Sequence, residues 1–138
     1  MAIIDFQNLP STSTPINATN LNAIQKFETT TGTEVATNEY IDGEQVFRKR
    51  IDTGTLPNAT YKDVDTGLVS SEINVVRIQG CAKATTGVQS PLPFVSISAT
   101  NCIAVSLQTT GKIRLDTGVD RSNFTQSYVD LYYTKITT

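Results

Sequence analysis

The sequence predicts a mainly β protein: a single antiparallel β-sandwich or jelly-roll-like domain, preceded by a short N-terminal arm and helix. Three observations carry this. From Tyr40 onward, apolar runs of strand length recur roughly every ten residues, separated by turns bearing Gly, Pro and Asn. The chain has 138 residues of which 38% are hydrophobic, which suits one modest core and one extension. Residues 1–38 differ in composition, with Ser, Thr, Pro and Asn in place of strand-like alternation. The expected organisation is an attachment arm with a short helix and a Thr/Gly spacer over residues 1–38, and a β head over residues 39–138.

The arm opens on a short apolar stretch, Ile3-Ile4-Asp5-Phe6. Pro10 and Pro15, with the Ser/Thr cluster between them, favour an extended loop. Asn17 is a candidate N-cap, and Ala18, Leu21, Ile24 and Phe27 or Glu28 follow at helical spacing for about three turns. A lone helix below ~12–15 residues is marginal in water. Leu21, Ile24 and Phe27 therefore need a partner surface, either the chain's own β domain or another subunit or assembly. The polar arm and the spacer TTTGTEVATNE favour the second. Ile3, Phe6, Leu21, Ile24 and Phe27 are the expected attachment residues.

In the head, GEQVFRKRI alternates, with Val46, Arg48 and Arg50 on one face and Phe47, Lys49 and Ile51 on the other. DTGTLPNAT is a turn-rich connection. INVVRIQGCA is the longest strand signal, and Gly80 within it marks a bulge or a close backbone approach. SPLPFVSIS reads as an edge or entry strand, because Pro91 and Pro93 cannot donate to a ladder. NCIAVSLQ and KIRLD form a hairpin across Thr110-Gly111. SYVDLYYTKI closes the domain with Val129, Leu131 and Tyr133 facing inward and Tyr128, Asp130 and Tyr132 on the opposite face. This makes about six or seven strands. INVVRI and LPFVSI are apolar on both faces, whereas an antiparallel sheet of a lone sandwich leaves one face polar. Neighbouring subunits are expected to bury the surplus.

Composition excludes several chemistries. The chain has no histidine, which removes Ser-His-Asp hydrolases, Cys-His proteases and His-ligated metal centres. Cys81 and Cys102 are the only two cysteines, cannot hold zinc unaided, and read as buried small hydrophobes, with a disulfide between them as the open alternative. Lys and Arg total 11 against 13 Asp and Glu, and the one basic cluster, Arg48-Lys49-Arg50, divides between two faces. No nucleic-acid partner is expected. No run approaches the ~18–20 apolar residues of a membrane span, so no membrane insertion is expected. No secretory signal opens the sequence, so folding in a reducing cytoplasm is expected.

Asp116, Asp120 and Asp130 could in principle hydrolyse a glycan without histidine. Asp116 and Asp120, however, flank a turn, where Asp usually bonds its own backbone. DTGVDRS also lacks the spacing of a calcium loop. No catalytic residue, cofactor or metal is expected. Asn123, Tyr128, Asp130 and Tyr132 could form an aromatic and polar face toward a glycan. The competing reading is a subunit interface, where Tyr is enriched.

The strings YIDGEQVFRKRIDTGTLPNAT, IQGCAK, PLPF and IRLDTGVDRSNFTQSYVDLYYTK resemble one family of tailed-bacteriophage virion proteins, over about residues 40–135. Its members read W-I-D-G-K-x-I-Y-R-K, then I-D-T-G-x-L-P-N-x-T, and close on a D-R-S stretch and a strand ending Y-T-K; here Tyr40 stands where tryptophan is common. TPINATNLN is similar to the TPI-x-A-x-N-L-N segment near the start of many phage tail and appendage proteins. The resemblance implies a non-enzymatic virion structural protein, assembled in the host bacterial cytoplasm. It implies a homotrimer that contacts other virion proteins of the capsid or tail. With no shaft between arm and head, a short appendage is implied, a head fibre or capsid decoration. The alternative is a tail or baseplate receptor-binding module recognising a cell-wall glycan.

Overall fold

In the computed structural model, which describes residues 30–137, eight strands build two antiparallel sheets. They are β1 (Glu34–Ile41), β2 (Glu44–Asp52), β3 (Tyr61–Asp65), β4 (Ile73–Ala84), β5 (Gln89–Leu92), β6 (Ile103–Leu107), β7 (Lys112–Thr117) and β8 (Phe124–Lys135). The larger sheet has the order β1-β2-β8-β4-β5 and the smaller β3-β7-β6. They stack as a sandwich, as the alternation predicts. The arm residues Ile3, Phe6, Leu21, Ile24 and Phe27, with the expected helix, lie outside the described residues.

The core is made by the alternation read from β8. Val129, Leu131 and Tyr133 are fully buried and meet Ile103, Ile113 and Leu115 of the facing sheet. Each such aliphatic side chain contributes about 1.5–3 kcal/mol by leaving water. Phe47 and Ile51 lie opposite Tyr133 and Val129 in the β2–β8 register, so they share the inner face. Phe47 stacks on Tyr133 with ring centres 6.2 Å apart.

Gly80 is a place of close approach. A Cβ there would lie 2.0 Å from the Tyr128 carbonyl oxygen, so the β4–β8 pair closes only over a glycine. The register irregularities of β4 against β8 fall elsewhere, between Val75 and Arg77 and between Lys83 and Ala84.

Three expectations are corrected. The head begins at Glu34 rather than residue 39, because β1 forms inside the expected spacer. The β1–β2 hairpin closes on Asp42 and Gly43, both left-handed with φ of 51° and 82°. Such a two-residue turn matches the twist of the flanking strands. The second correction is β3, which follows the turn-rich connection and brings the strands to eight. The third concerns SPLPFVSIS, of which only Gln89–Leu92 is a strand. It is the edge strand expected from Pro91, but the chain then leaves the large sheet. Phe94 bridges to Ile103 at the start of β6, through hydrogen bonds of 3.1 and 2.9 Å. Val95 and Ile97 therefore lie in a loop.

The hairpin of β6 and β7 forms as read, with the Gln108 amide donating to the Lys112 carbonyl at 2.8 Å. The connections β2–β3, β4–β5, β5–β6 and β7–β8 gather at one pole. Hydrogen bonds link them there: Leu56 N–H to the Phe124 carbonyl at 3.0 Å, Thr85 N–H to the Asn123 carbonyl at 3.1 Å, and Arg121 Nη2 to the Asn101 carbonyl at 2.7 Å. Gly32, at the start of the described chain, donates to the Arg50 carbonyl at 2.8 Å, close to the same pole.

Candidate functional site

The outer face of the large sheet carries Tyr128, Asp130, Tyr132 and Thr134 of β8, flanked by Arg48 and Arg50 of β2 and by Arg77 of β4. Register decides the pairing. Arg50 lies opposite Asp130, and Arg77 opposite Tyr132. Arg50 Nε and Nη2 donate to the two Asp130 carboxylate oxygens at 2.8 Å each, and the same guanidinium sits 3.9 Å from the Tyr128 ring centre. Arg77 sits 4.1 Å from the Tyr132 ring centre and donates to both oxygens of Glu39 at 3.1 and 2.8 Å.

Glu39 is on β1, at the far side of the sheet order from β4. It reaches Arg77 because the β1–β2 register slips between Ala36 and Tyr40. At that slip the Thr37 hydroxyl donates to the Val46 carbonyl at 2.7 Å and accepts from the Glu39 amide at 3.1 Å. A bulge of this kind bends its strand and re-aims its side chains.

The chain therefore seals this face itself. A guanidinium is weakly hydrated, stacks on aromatic rings and covers apolar surface with its stem. Beneath it Asp130 is only 5% and Tyr132 only 9% exposed. The same unit recurs on the small sheet, where Arg114 lies 4.0 Å from the Tyr61 ring centre and donates to both oxygens of Asp63 at 2.8 Å. The hydrogen bonds from Arg77 and Arg114 hold the carboxyls of Glu39 and Asp63 below their ordinary values. In return the carboxylates of Asp130, Glu39 and Asp63 raise the pKa of Arg50, Arg77 and Arg114.

Of the residues expected to form a contact face, Tyr128, Asp130 and Tyr132 are brought together. Asp130 and Tyr132 are occupied by the two arginines, and only Tyr128 remains half-exposed beside open space. Asn123 is exposed in the turn before β8 and does not share that space.

The open space is a cleft of about 500 Å³ lined by Tyr128, Arg50, Asp52, Lys83, Gln89 and Gln126, with the Cys81 thiol in its wall. Thr31, where the described chain begins, lies at the same cleft. Lys83, Gln89 and Gln126 are absent from the sequence reading. Strand alternation could have placed Gln126 on the face of Tyr128, whereas Lys83 and Gln89 join only through the pairings Lys83–Gln126 and Lys83–Gln89.

A second opening, of about 430 Å³, lies at the other pole between Leu68, Val69, Ile73, Ile136 and the Glu34–Lys135 pair. The buried Tyr133 hydroxyl donates to Glu34, and Lys135 Nζ donates to the same carboxylate at 2.6 Å. Burial opposes ionisation of Glu34. The hydrogen bonds from Lys135 and Tyr133, with the charges of Lys135 and Lys49, outweigh it and hold the carboxyl low. Burial, and then the bond to Glu34, push the Tyr133 hydroxyl well above the usual phenol range.

Of the carboxylates weighed for hydrolysis, Asp130 is buried and held by Arg50, while Asp120 and Asp116 are turn and surface groups. Asp120 accepts from the Ser122 amide at 2.9 Å and the Ser122 hydroxyl at 2.6 Å, which lowers its carboxyl. Asp116 is exposed on β7, opposite Tyr61. Cys81 and Cys102 are free thiols and only half-buried, a correction to their reading as core residues. Among the described residues no group of three or more His, Cys, Asp and Glu side chains converges, and no helix is long and apolar enough to cross a membrane. In comparison with known proteins, no family model, curated protein or solved structure matches the chain.

Proposed function

We propose that the chain is a non-enzymatic structural protein of a bacteriophage particle, a short trimeric appendage that is anchored by its N-terminal arm and displays the β-sandwich outward. The observation that carries this reading is the family resemblance over residues 40–135 together with the TPINATNLN segment. The resembling residues fall at positions that shape the head. Asp42-Gly43 closes the β1–β2 hairpin, Leu56 of LPN is buried, Asp120 and Ser122 of DRS bond one another, and Lys135 of YTK pairs with Glu34. Motif and fold are thus consistent with one module.

Residues 1–29 precede the described chain, which begins close to the pole where four connections gather. An anchor at that pole leaves the Asp42-Gly43 hairpin and the connection through Ser70–Glu72 at the free end. Three-fold association would turn weak contacts at that end into avidity. The arm residues Ile3, Phe6, Leu21, Ile24 and Phe27 carry the attachment in this reading.

The test is to supply residues 30–138 in place of the full chain during particle assembly. The shortened protein should sediment as a trimer and be missing from purified particles. Incorporation at full occupancy would remove the arm from the anchoring role, and a monomeric head would remove the trimer.

A further inference from the structure

We propose that the cleft beside Tyr128 is a binding site for a short neutral saccharide. Its volume of about 500 Å³ falls within the ~300–1,000 Å³ typical of small-molecule sites. Its walls stand on β2, β4, β5 and β8, so the groups that face a ligand are held by paired strands rather than by a free loop.

The chemistry of the wall selects the ligand. Arg50 holds Tyr128 in place from one side and is itself neutralised by Asp130. Asp52 uses one carboxylate oxygen on the Gly54 amide at 2.9 Å, and its other oxygen bonds no described group. Lys83, Gln89 and Gln126 make no side-chain hydrogen bond with a described residue. The cleft thus offers one aromatic ring, two amides, one ammonium and one free carboxylate oxygen. With Arg50 neutralised by Asp130, one charge of each sign remains, from Lys83 and Asp52, and this balance argues against an anion. Donors and acceptors set around a ring, with Cys81 as a half-buried small side chain beside them and Ala82 turned into the core, argue against an apolar peptide. A polyol ring satisfies both demands, laying C–H groups on the tyrosine and hydroxyls on the amides. The proposal stands apart from the arm and the particle, and either can fail without the other.

The test uses the full chain, isotopically labelled and titrated separately with glucose, galactose and N-acetylglucosamine to tens of millimolar, with inorganic phosphate as the anion control. At least one sugar should move the backbone amides of residues 81–83, 89 and 125–128 saturably, and phosphate should not. The exposed pair Gln89→Ala and Gln126→Ala should keep the spectrum of a folded protein and weaken that sugar about tenfold. Bound sugar should slow alkylation of Cys81 and leave Cys102 unchanged. If no sugar moves these amides, if phosphate does so instead, or if the double variant binds equally well, the assignment is wrong. It also falls if Cys81 reacts faster once residues 1–29 are removed, because the cleft then belongs to the chain's own N-terminal segment.

Discussion

The β8 strand and the loop from Phe94 to Cys102 both derive from apolar stretches of sequence, and they end in opposite environments. From Val129 to Thr134 every β8 residue is buried, three against the opposite sheet and three beneath side chains of the strand's own sheet. The loop is tied down by local contacts rather than by ladders. The Ser96 amide donates to Cys102 Sγ at 3.4 Å, the Ser98 and Thr100 hydroxyls bond at 2.9 Å, and Gly118 sits so close that a Cβ there would be 2.4 Å from the Thr100 carbonyl. Yet Val95 is 82% exposed and Ile97 fully so. A run that is apolar on two faces therefore does not by itself call for another subunit. Arginine stems complete β8 from within, and the unmet apolar surface is left on a firm loop instead. In the proposed trimer this moves the expected contact from the face of the large sheet to the pole that carries Val88, Val95 and Ile97.

The largest effect that separates the two regions is on stability. Leu131→Ala empties a fully buried site and should cost about 2–5 kcal/mol by urea denaturation, because the sandwich cannot collapse around the loss. Ile97→Ser, at the same assay and at low protein concentration, should change little. A loss of comparable size at Ile97 would mean that the loop packs on something within the chain, and the contrast would be broken.

The same contrast marks how much could be read from the sequence. The inward set of Val129, Leu131 and Tyr133 was legible because a strand has period two and one face meets a core. The edge role of Pro91 and the close approach at Gly80 were legible from local chemistry. The strand β3 was not, since YKDVD offers Val64 as its only aliphatic residue. β1 was missed although its signal was present: Asp-Gly between EVATNEYI and EQVF is a strong hairpin marker. The pairing of Arg50 with Tyr128 and of Arg77 with Tyr132 was beyond reach, because cross-strand register sets it. The cleft inherits that limit, as its polar groups come from strands distant in sequence.

Ionisation at the two ends of β1 and β8 sharpens the account of how the large sheet is closed. Glu34 ionises below its ordinary value of 4.5 in the folded chain, so the unfolded chain takes up the proton first. Its contribution is complete above that value and is lost as the pH falls through the lowered one. Tyr133 runs the other way. Its folded value lies above the ordinary 10.0, so its contribution is complete below pH 10.0 and is lost as the pH rises beyond it. Urea midpoints measured across pH should therefore form a plateau with two falling limbs. Tyr133→Phe should flatten the alkaline limb. Glu34→Gln should make the acid limb shallower without abolishing it, because Glu39, Asp63 and Asp120 are lowered as well. An alkaline limb unchanged in Tyr133→Phe would mean that another group controls it.

The smallest effect on stability is the one with most to say about assembly. Val95→Ser with Ile97→Ser removes two side chains that touch almost nothing in the chain, so the dilute variant should unfold within about 0.5 kcal/mol per site of the parent. Association should respond differently. Two branched aliphatic side chains held on a rigid loop lose little conformational freedom on docking, which makes them efficient contacts. If the trimer is closed at this pole, sedimentation at micromolar concentration should show the parent as a trimer and the double variant as a monomer. A double variant that remains trimeric would place the contact elsewhere, with exposed Tyr40 and Ile41 at the opposite pole as the next residues to change. A monomeric parent would leave Val95 and Ile97 for a foreign partner at the end where the arm departs, and the two poles would then differ by what they bind rather than by how the copies meet.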